Sequence, residues 1–358
     1  MVRILYVPNE HGEHRQFGIR STLGKLRAAG LVTDVKIFSL LWRIREGLDA
    51  PNQRKILLQV AEEYRADIVL LQHLGGTGIS REDLRRLRGS CGFMIYHEAD
   101  PYSRYVHALP REARLAGQLS DVVFTVGNGV FADNFRRAGA VDVRWEPSIF
   151  DPGRFGHLSV EPEMVRTFDV VMVANRNKPR LRGLPNWRDR IAFVEYMEQR
   201  FGPRFAIFGR GWTGPSAQGQ VPYSEQASAI RSGWVSANWD HFAKEPLYFS
   251  DRLPTSLATG SVHATTAHAG FRDYFIGADK FLLLSENFAD LADRIEVYLQ
   301  ETEPEDRLLR EREARKYAHD NLRQDDQLIR MLNHAGAAID VEKYQTVRSS
   351  FAHPIEEV

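Results

Sequence analysis

Short apolar runs alternate with longer amphipathic stretches along most of the chain. In the first half, six apolar runs are bounded by polar turns, at residues 3–7, 34–38, 68–72, 92–96, 122–126 and 143–145. Stretches with helical spacing lie between them, which is typical of parallel strands joined by crossover helices. The first half is therefore predicted to be an open α/β sheet with helices on both faces.

A segment rich in proline and glycine, residues 146–155, interrupts this alternation and indicates a linker. The alternation then restarts, with strands predicted at residues 168–173, 204–208, 234–238, 262–265 and 280–284. A charged amphipathic helix predicted over residues 304–332 is too polar to be buried on every side and should lie across a surface. The pattern predicts domains at 1–155 and 156–320, followed by a C-terminal helix and tail, 321–358, that packs back across the first domain. Tandem sheets of this kind bind ligands at the carboxyl ends of their strands, so we expect a ligand cleft between the two domains.

The composition argues against several classes of protein. The 358 residues include 47 basic and 47 acidic side chains, so no net charge attracts a nucleic acid or an anionic membrane. The single cysteine, Cys91, excludes an intrachain disulfide, and the first residues lack the pattern of a secretory signal. We expect a cytoplasmic protein without a transmembrane segment, because no apolar run reaches the length of a bilayer span. Peripheral membrane contact stays open.

Three segments together resemble a known family: 96–101, 145–155 and 249–260. They are similar to the polar turn after the fourth strand, the proline-rich link and the donor-site helix of group 1 glycosyltransferases of the GT-B fold, in particular the branch of CgeB-like (spore maturation protein-like) proteins. The resemblance implies two Rossmann-like domains facing a central cleft. It also implies transfer of a sugar from a nucleoside-diphosphate sugar to a small-molecule or glycan acceptor. Neither a cofactor nor a catalytic metal is expected.

One position departs from the family pattern. When the helix is aligned on Arg252 and Gly260, Thr255 stands where the family has an acidic residue that contacts the donor. A hydroxyl can still hydrogen-bond a diol, but without the strength that a charged acceptor gives. A non-catalytic protein that binds nucleotide or sugar is therefore an alternative.

Several arginines are candidates to bind the diphosphate of the donor. Arg176, Arg180 and Arg182 lie in a basic segment after a predicted strand, where they would bind phosphate or form a solvated loop. Arg252 begins a helix whose positive end would repel it unless an anion were near. With Pro254 at the first helical position, Thr255 and Ser256 would offer free backbone amides to the donor, or act only as caps.

Further donor contacts are predicted after two other strands. Gly209 and Gly211 form a turn in which the backbone can approach a ligand, and Trp212 offers a surface on which a base can stack. A structural turn with a packed tryptophan explains the same residues. Asn238 closes the next strand, where the resembled family binds the nucleoside.

The first domain carries two polar clusters with catalytic potential. His11 and His14 flank Gly12 and Glu13, and we interpret the histidines as catalytic and the residues between them as acceptor-binding, since imidazole titrates near neutrality. The second cluster consists of the catalytic candidates His97, Glu98 and Asp100. Both clusters also fit solvated loops. A metal is not predicted, because no paired ligand spacing such as His-Glu-x-x-His occurs.

An epimerase of nucleotide sugars remains a further alternative, since it would use a similar cleft. Modification of DNA is disfavoured by the absence of a basic stripe in the sequence. The nucleobase, the sugar, the acceptor, the anomeric outcome and the oligomeric state are left open.

Overall fold

A computed structural model describes residues 2–10, 18–105, 107–160, 165–177 and 184–352. The chain divides into two compact units. The first consists of Met1–Pro147, Asp151–Arg154 and Gln324–Val358, and the second consists of Ser148–Phe150 and Phe155–Arg323.

The first unit is built on a six-stranded parallel sheet with the order β2-β1-β3-β4-β5-β6. Its strands are β1 (Arg3–Val7), β2 (Asp34–Ile37), β3 (Ile68–Gln72), β4 (Phe93–Glu98), β5 (Val122–Thr125) and β6 (Val143–Trp145). The central strands are almost continuously apolar because helices cover both faces of the sheet, and each face has its own hydrophobic core.

The helices of the first part of the chain are α1 (Ile19–Ala28), α2 (Leu40–Arg45), α3 (Ala50–Tyr64), α4 (Arg81–Gly89), α5 (Arg111–Leu119), α6 (Val130–Ala138) and α7 (Pro152–Phe155). A capping box at Ser80 and Asp83 starts α4, and Gly139, in the left-handed region, ends α6. These caps fix where α4 begins and where α6 ends.

The second unit contains another parallel six-stranded sheet, with the order β12-β11-β10-β7-β8-β9. Its strands are β7 (Phe168–Val173), β8 (Phe205–Phe208), β9 (Ala217–Gly219), β10 (Gly233–Ala237), β11 (Val262–Thr266) and β12 (Leu282–Ser285). Its helices are α8 (Trp187–Phe201), α9 (Gln226–Arg231), α10 (Arg252–Ala258), α11 (Phe271–Tyr274), α12 (Phe288–Glu301) and α13 (Pro304–Asn321). The predicted fold class, two parallel α/β sheets with flanking helices, is confirmed.

The single helix predicted over residues 304–332 is wrong. The structure has two helices, α13 and α14 (Gln324–His334), followed by α15 (Val341–Val347). The break occurs because the backbone at Leu322 and Arg323 pairs with Phe150: the Phe150 amide donates to the Leu322 carbonyl at 3.0 Å, and Phe150 and Arg323 form a parallel bridge. The helix α14 consequently belongs to the first unit, where it packs on α1.

Candidate functional site

The turn after β8 in the second unit is attached to the end of β7. Gly209 has a φ of +151°, and a side chain there would collide with the carbonyl oxygen of Ala174. The Arg176 amide donates to the Arg210 carbonyl at 2.9 Å, and the Arg210 amide donates to Asn175 Oδ1 at 2.8 Å. These bonds place Arg176 at the carboxyl end of β7. The position that a Cβ of Gly209 would take is filled by the protein's own backbone, and the predicted contact of Gly209 with a ligand stays a prediction.

Trp212 is held in the same turn. Its indole N–H donates to the Ala174 carbonyl at 2.6 Å, and the Arg176 guanidinium carbon lies 5.8 Å from the ring centroid. Gly211, with a φ of +88°, adopts the left-handed backbone conformation that favours glycine and lies beside Arg176. Arg176 is exposed and rests on the indole by a cation–π contact.

Arg252 lies at the carboxyl end of β7. Its Nε donates to the Val173 carbonyl at 2.9 Å, and its side chain is 28% exposed. The helix begins two residues earlier than expected, with Asp251 as the N-cap and Arg252 as the first helical residue. Pro254 is thus the third helical residue and not the first. It is tolerated there because the first amides of a helix lack an intrahelical acceptor.

Thr255 and Ser256 are buried inside the second unit. The Thr255 amide already donates to the Asp251 carbonyl at 3.0 Å, so the expectation that it is free for a ligand is wrong. The Ser256 and Ser236 hydroxyls are 2.8 Å apart and connect α10 to β10. Ser236 and Ser256 therefore support the position of α10 and of Arg252.

A buried ionic group follows β10. Asn238 Nδ2 donates to Asp240 Oδ1 at 2.7 Å, and His268 Nε2 lies 3.2 Å from Asp240 Oδ2. His268 Nδ1 lies 2.9 Å from the Glu245 carbonyl, so both ring nitrogens face oxygen atoms. Burial raises the pKa of Asp240. The hydrogen bond and charge of His268 and the charge of Arg190 lower this pKa by a larger amount, so it falls below its usual range.

Arg190 is a buried cation at this edge of the sheet. Its Nε donates to the Trp239 carbonyl at 2.7 Å. Burial and repulsion by Arg252 lower the pKa of Arg190 to about 9. Arg190 occupies the first position of the buried face of α8, which continues through Phe193, Val194, Met197 and Phe201. A charged residue on an otherwise apolar helix face can be recognised in the sequence, but Arg190 is not among the predicted site residues.

In the first unit, four side chains meet near the ends of β3 and β4. His73 Nδ1 lies 3.3 Å from Glu98 Oε1, 3.0 Å from Asp100 Oδ2 and 3.2 Å from the Tyr102 hydroxyl. Burial lowers the pKa of His73, but hydrogen bonds and charges from Asp100 and Glu98 outweigh it and raise the pKa to about 10. His73 is therefore a cation at neutral pH. His73 is not among the residues predicted from the sequence, although it directly follows the buried strand β3. His97 and Glu98, which are predicted, similarly close the next strand, β4.

The catalytic candidates of this cluster differ in access. The side chain of Asp100 is 49% exposed, whereas that of Glu98 is 1% exposed and accepts a hydrogen bond from the Tyr96 hydroxyl at 2.5 Å. Burial raises the pKa of Glu98. Of the three residues predicted in this cluster, Asp100 is the one that a substrate can reach most readily.

His97 belongs to a different face of the sheet. Gln72 Nε2 lies 3.0 Å from His97 Nδ1, and the Tyr6 hydroxyl donates to Gln72 Oε1. His97 Nε2 is buried without a hydrogen-bond partner among the described residues, and burial lowers the pKa of His97 to about 4. The ring is thus neutral, and the structure does not bring it together with His73, Glu98 and Asp100.

His73, Glu98 and Asp100 also form a group that could hold a metal ion. Each offers one ligand atom, and these atoms lie within 4.8 Å of one another. The geometry equally satisfies a protonated imidazole between two carboxylates, which needs no ion.

Six predicted site residues lie outside the described residues: His11, Gly12, Glu13, His14, Arg180 and Arg182. Their roles stay predictions. Among the described residues, none of the helices combines the length and the apolar character that a bilayer crossing requires.

Known proteins resemble this chain in two ways, through a family model that matches part of its sequence and through solved structures that share its fold. Residues 188–329 match the model of a family described as glycosyl transferase-like, and this stretch contains Arg190, Asp240 and Arg252. No curated protein sequence matches the chain significantly.

Solved structures resemble nearly the whole chain. HepE from Anabaena, solved in complex with UDP-glucose, has a TM-score of 0.58 at 13% identity, over 93% of this chain and 100% of that one. Sucrose-phosphate synthase from Thermosynechococcus elongatus has a TM-score of 0.63 at 11% identity, over 97% of this chain and 99% of that one. Trehalose 6-phosphate synthase from Burkholderia multivorans has a TM-score of 0.55 at 12% identity, with 95% and 98% covered. The chain thus has the two-sheet α/β fold of GT-B glycosyltransferases.

Proposed function

We propose that this protein is a glycosyltransferase that takes a sugar from a nucleoside-diphosphate sugar without a catalytic metal. The observation that carries the proposal is the concentration of positive charge at the carboxyl edge of the second unit's sheet. Arg252 and Arg176 lie at the end of β7, and Arg190 is buried close enough to Arg252 for the two charges to repel. The match of residues 188–329 to a glycosyl transferase-like family supports this assignment, and membership of the CgeB-like branch is part of the proposal.

A diphosphate would complete this arrangement. The buried carboxylate of Asp240 is already engaged by His268 and Asn238, so it offsets the charge of Arg190 only in part. A bound diphosphate would bring negative charge to Arg252 and Arg176 and would be stabilised most when the sugar bond breaks and charge builds on the leaving group. Fixed arginines can provide this stabilisation in place of a metal ion.

The first unit supplies the proposed acceptor chemistry. Asp100 is exposed on one side and contacts His73 on the other. In this position its carboxylate can accept a proton from an acceptor hydroxyl, while His73, held in turn by the buried Glu98, orients it. Asp100 is then the catalytic residue, and His73 and Glu98 are positioning residues.

Uridine nucleotides are the first donors to test, because HepE was solved with UDP-glucose. Calorimetric titration of UDP should give saturable binding to the wild-type protein. Arg252→Ala should weaken this binding roughly 10- to 100-fold, the effect of losing a hydrogen-bonded charge. Arg204→Ala is the matched control: Arg204 precedes β8 at the opposite edge of the same sheet and pairs with Asp169.

The proposal is rejected if no nucleoside diphosphate binds, or if the two variants lose affinity equally. Turnover of UDP-glucose with added acceptors then separates binding from catalysis. Asp100→Asn should lower the rate of transfer and leave the dissociation constant of UDP unchanged. Addition of EDTA should leave the rate unchanged if no metal takes part.

A non-catalytic nucleotide-binding protein is the second candidate. The observation in its favour is Thr255, a buried hydroxyl at the position where the resembled family has an acidic donor contact. Saturable binding of UDP or another nucleoside diphosphate without turnover against a broad acceptor panel would favour this function over transfer.

A further inference from the structure

His241 connects two separate points of the second unit. Its Nδ1 lies 3.1 Å from the carbonyl oxygen of Pro185, and its Nε2 lies 2.6 Å from Nδ2 of Asn177. A carbonyl oxygen only accepts and an amide nitrogen only donates, so Nδ1 carries the proton and Nε2 accepts. One buried ring thus closes a hydrogen-bonded link from Asn177 to Pro185.

The two partners of His241 flank the basic segment predicted to bind phosphate. Lys178, Arg180 and Arg182 lie between them in the sequence, and Arg176 directly precedes Asn177. We propose that His241 is a positioning residue that holds the two ends of this basic segment together and thereby keeps Arg176 in place for the donor's diphosphate. The second half of this inference rests on the proposed function, and the first half does not.

His241 itself is firmly placed. The adjacent Asp240 amide donates to the Thr266 hydroxyl at 3.0 Å, and the Asn238 amide donates to the Ala264 carbonyl at 2.9 Å. The chain after β10 is therefore attached to β11 on both sides of Trp239. A ring mounted on this support can restrain Asn177 and Pro185.

The charge state of His241 suits this link. Protonation of Nε2 would remove the acceptor for Asn177 and break half of it. Burial, followed by the charges of Arg190 and Arg252, lowers the pKa of His241 to about 3. The ring is therefore neutral at physiological pH, and the link persists there.

Limited proteolysis tests the link without any ligand. Trypsin can cut after Arg180 and Arg182, and we expect His241→Leu to speed cleavage within residues 178–183 about tenfold, because the ends of the segment are no longer held. His241→Gln should cleave near the wild-type rate, since its amide can donate to Pro185 and accept from Asn177. His263→Leu is the matched control, because His263 is also a buried histidine of this unit but has no hydrogen-bond partner within the described part of the chain.

An unchanged cleavage rate in His241→Leu would overturn the link. Equal acceleration in His263→Leu would do the same, because it would reveal general loosening of the unit. Thermal denaturation of each variant shows that the protein digested is folded. If His241→Leu fails to fold, the Gln variant and a third variant, Asn177→Leu, decide the matter: the former should resist trypsin and the latter should not.

A double-mutant cycle tests the role in donor binding. His241→Leu should weaken UDP binding about tenfold in the wild-type background and cause no further loss in an Arg176→Ala background, because it acts through Arg176. Equal losses in both backgrounds would show that His241 acts elsewhere and would overturn this half of the inference. Absence of UDP binding to the wild-type protein would instead contradict the proposed function, while proteolysis still decides the link.

Discussion

The two units share one architecture but differ in charge where their strands end. In the first unit, the cation His73 lies between two carboxylates, Glu98 and Asp100. In the second, the carboxylate of Asp240 faces His268 and the charge of Arg190, which is in turn repelled by Arg252. The sheets themselves are alike, so the difference comes from a few residues in the turns and helices around the strand ends. The proposed function depends on this difference, because it assigns anion binding to the second unit and acceptor chemistry to the first.

The buried carboxylates sharpen this contrast. Glu98 and Asp240 are both almost inaccessible, yet their pKa values move in opposite directions. Burial prevails at Glu98 and raises its pKa. At Asp240 burial also raises the pKa, but the interactions with His268, Arg190 and Asn238 prevail and lower it. Equal burial therefore does not mean equal contribution to stability.

The largest effect is expected from neutralising Asp240. Asp240→Asn removes the negative charge that His268 and Arg190 face, and we expect it to lower the free energy of unfolding by about 3 kcal/mol at pH 7. Because the folded-state pKa of Asp240 lies below its unfolded value, its stabilisation is present above the unfolded pKa and is lost as the pH falls through the folded pKa. The deficit of the variant should shrink accordingly in acid. Urea denaturation at pH 7 and below measures it.

The matched change in the first unit is Glu98→Gln. The raised pKa of Glu98 means that its ionised form is disfavoured in the folded protein, so neutralising it should cost at most about 1 kcal/mol. The contrast between the units fails if Glu98→Gln destabilises as strongly as Asp240→Asn.

An intermediate effect is expected from His73, with a distinctive dependence on pH. His73→Gln removes a cation that hydrogen-bonds Glu98 and Asp100, and we expect a loss of about 2 kcal/mol at pH 6. The pKa of His73 rises to about 10 on folding, so its stabilisation is complete below its unfolded pKa and is lost as the pH rises through 10. The wild type and the variant should therefore converge in urea denaturation at pH 10.5. A difference independent of pH would mean that His73 is not charged.

The sequence predicts the fold well because buried parallel strands are continuous apolar runs between turns. Runs such as Ile68–Gln72 and Phe168–Val173 are predicted at their observed bounds. The strand Ala217–Gly219 was missed because it has three residues, two of them exposed, and pairs only at the edge of the sheet. The break at Leu322 was missed because it results from pairing with Phe150, more than 150 positions away in the sequence.

The site is predicted less completely. Arg176 and Arg252 are recognisable because cations directly after a strand or at a helix start are unusual. His241 and His268 are not recognisable in this way, because their importance lies in burial and in partners that the pattern does not contain. Pro254 is the third residue of α10 and not the first, and Gly209 packs against the backbone of Ala174; the sequence pattern contains neither fact.

The smallest effect at neutral pH is expected from His263, which contrasts with His268 on the same side of the second unit. Both ring nitrogens of His263 are buried without a hydrogen-bond partner within the described residues, whereas both of those of His268 have one. His263→Leu removes polar atoms that gain nothing from burial, so we expect a change between zero and a stabilisation of about 1 kcal/mol at pH 7.

Burial lowers the pKa of His263 to about 4, so the unfolded chain binds a proton more readily, and this histidine destabilises the fold as the pH falls from 6.5 towards 4. The advantage of the leucine variant should therefore grow by about 1 to 2 kcal/mol between pH 7 and pH 5 in urea denaturation. A variant that is less stable than the wild type at both pH values would show that the ring of His263 has partners of its own, such as internal water, and that burial is compensated there as it is at His268.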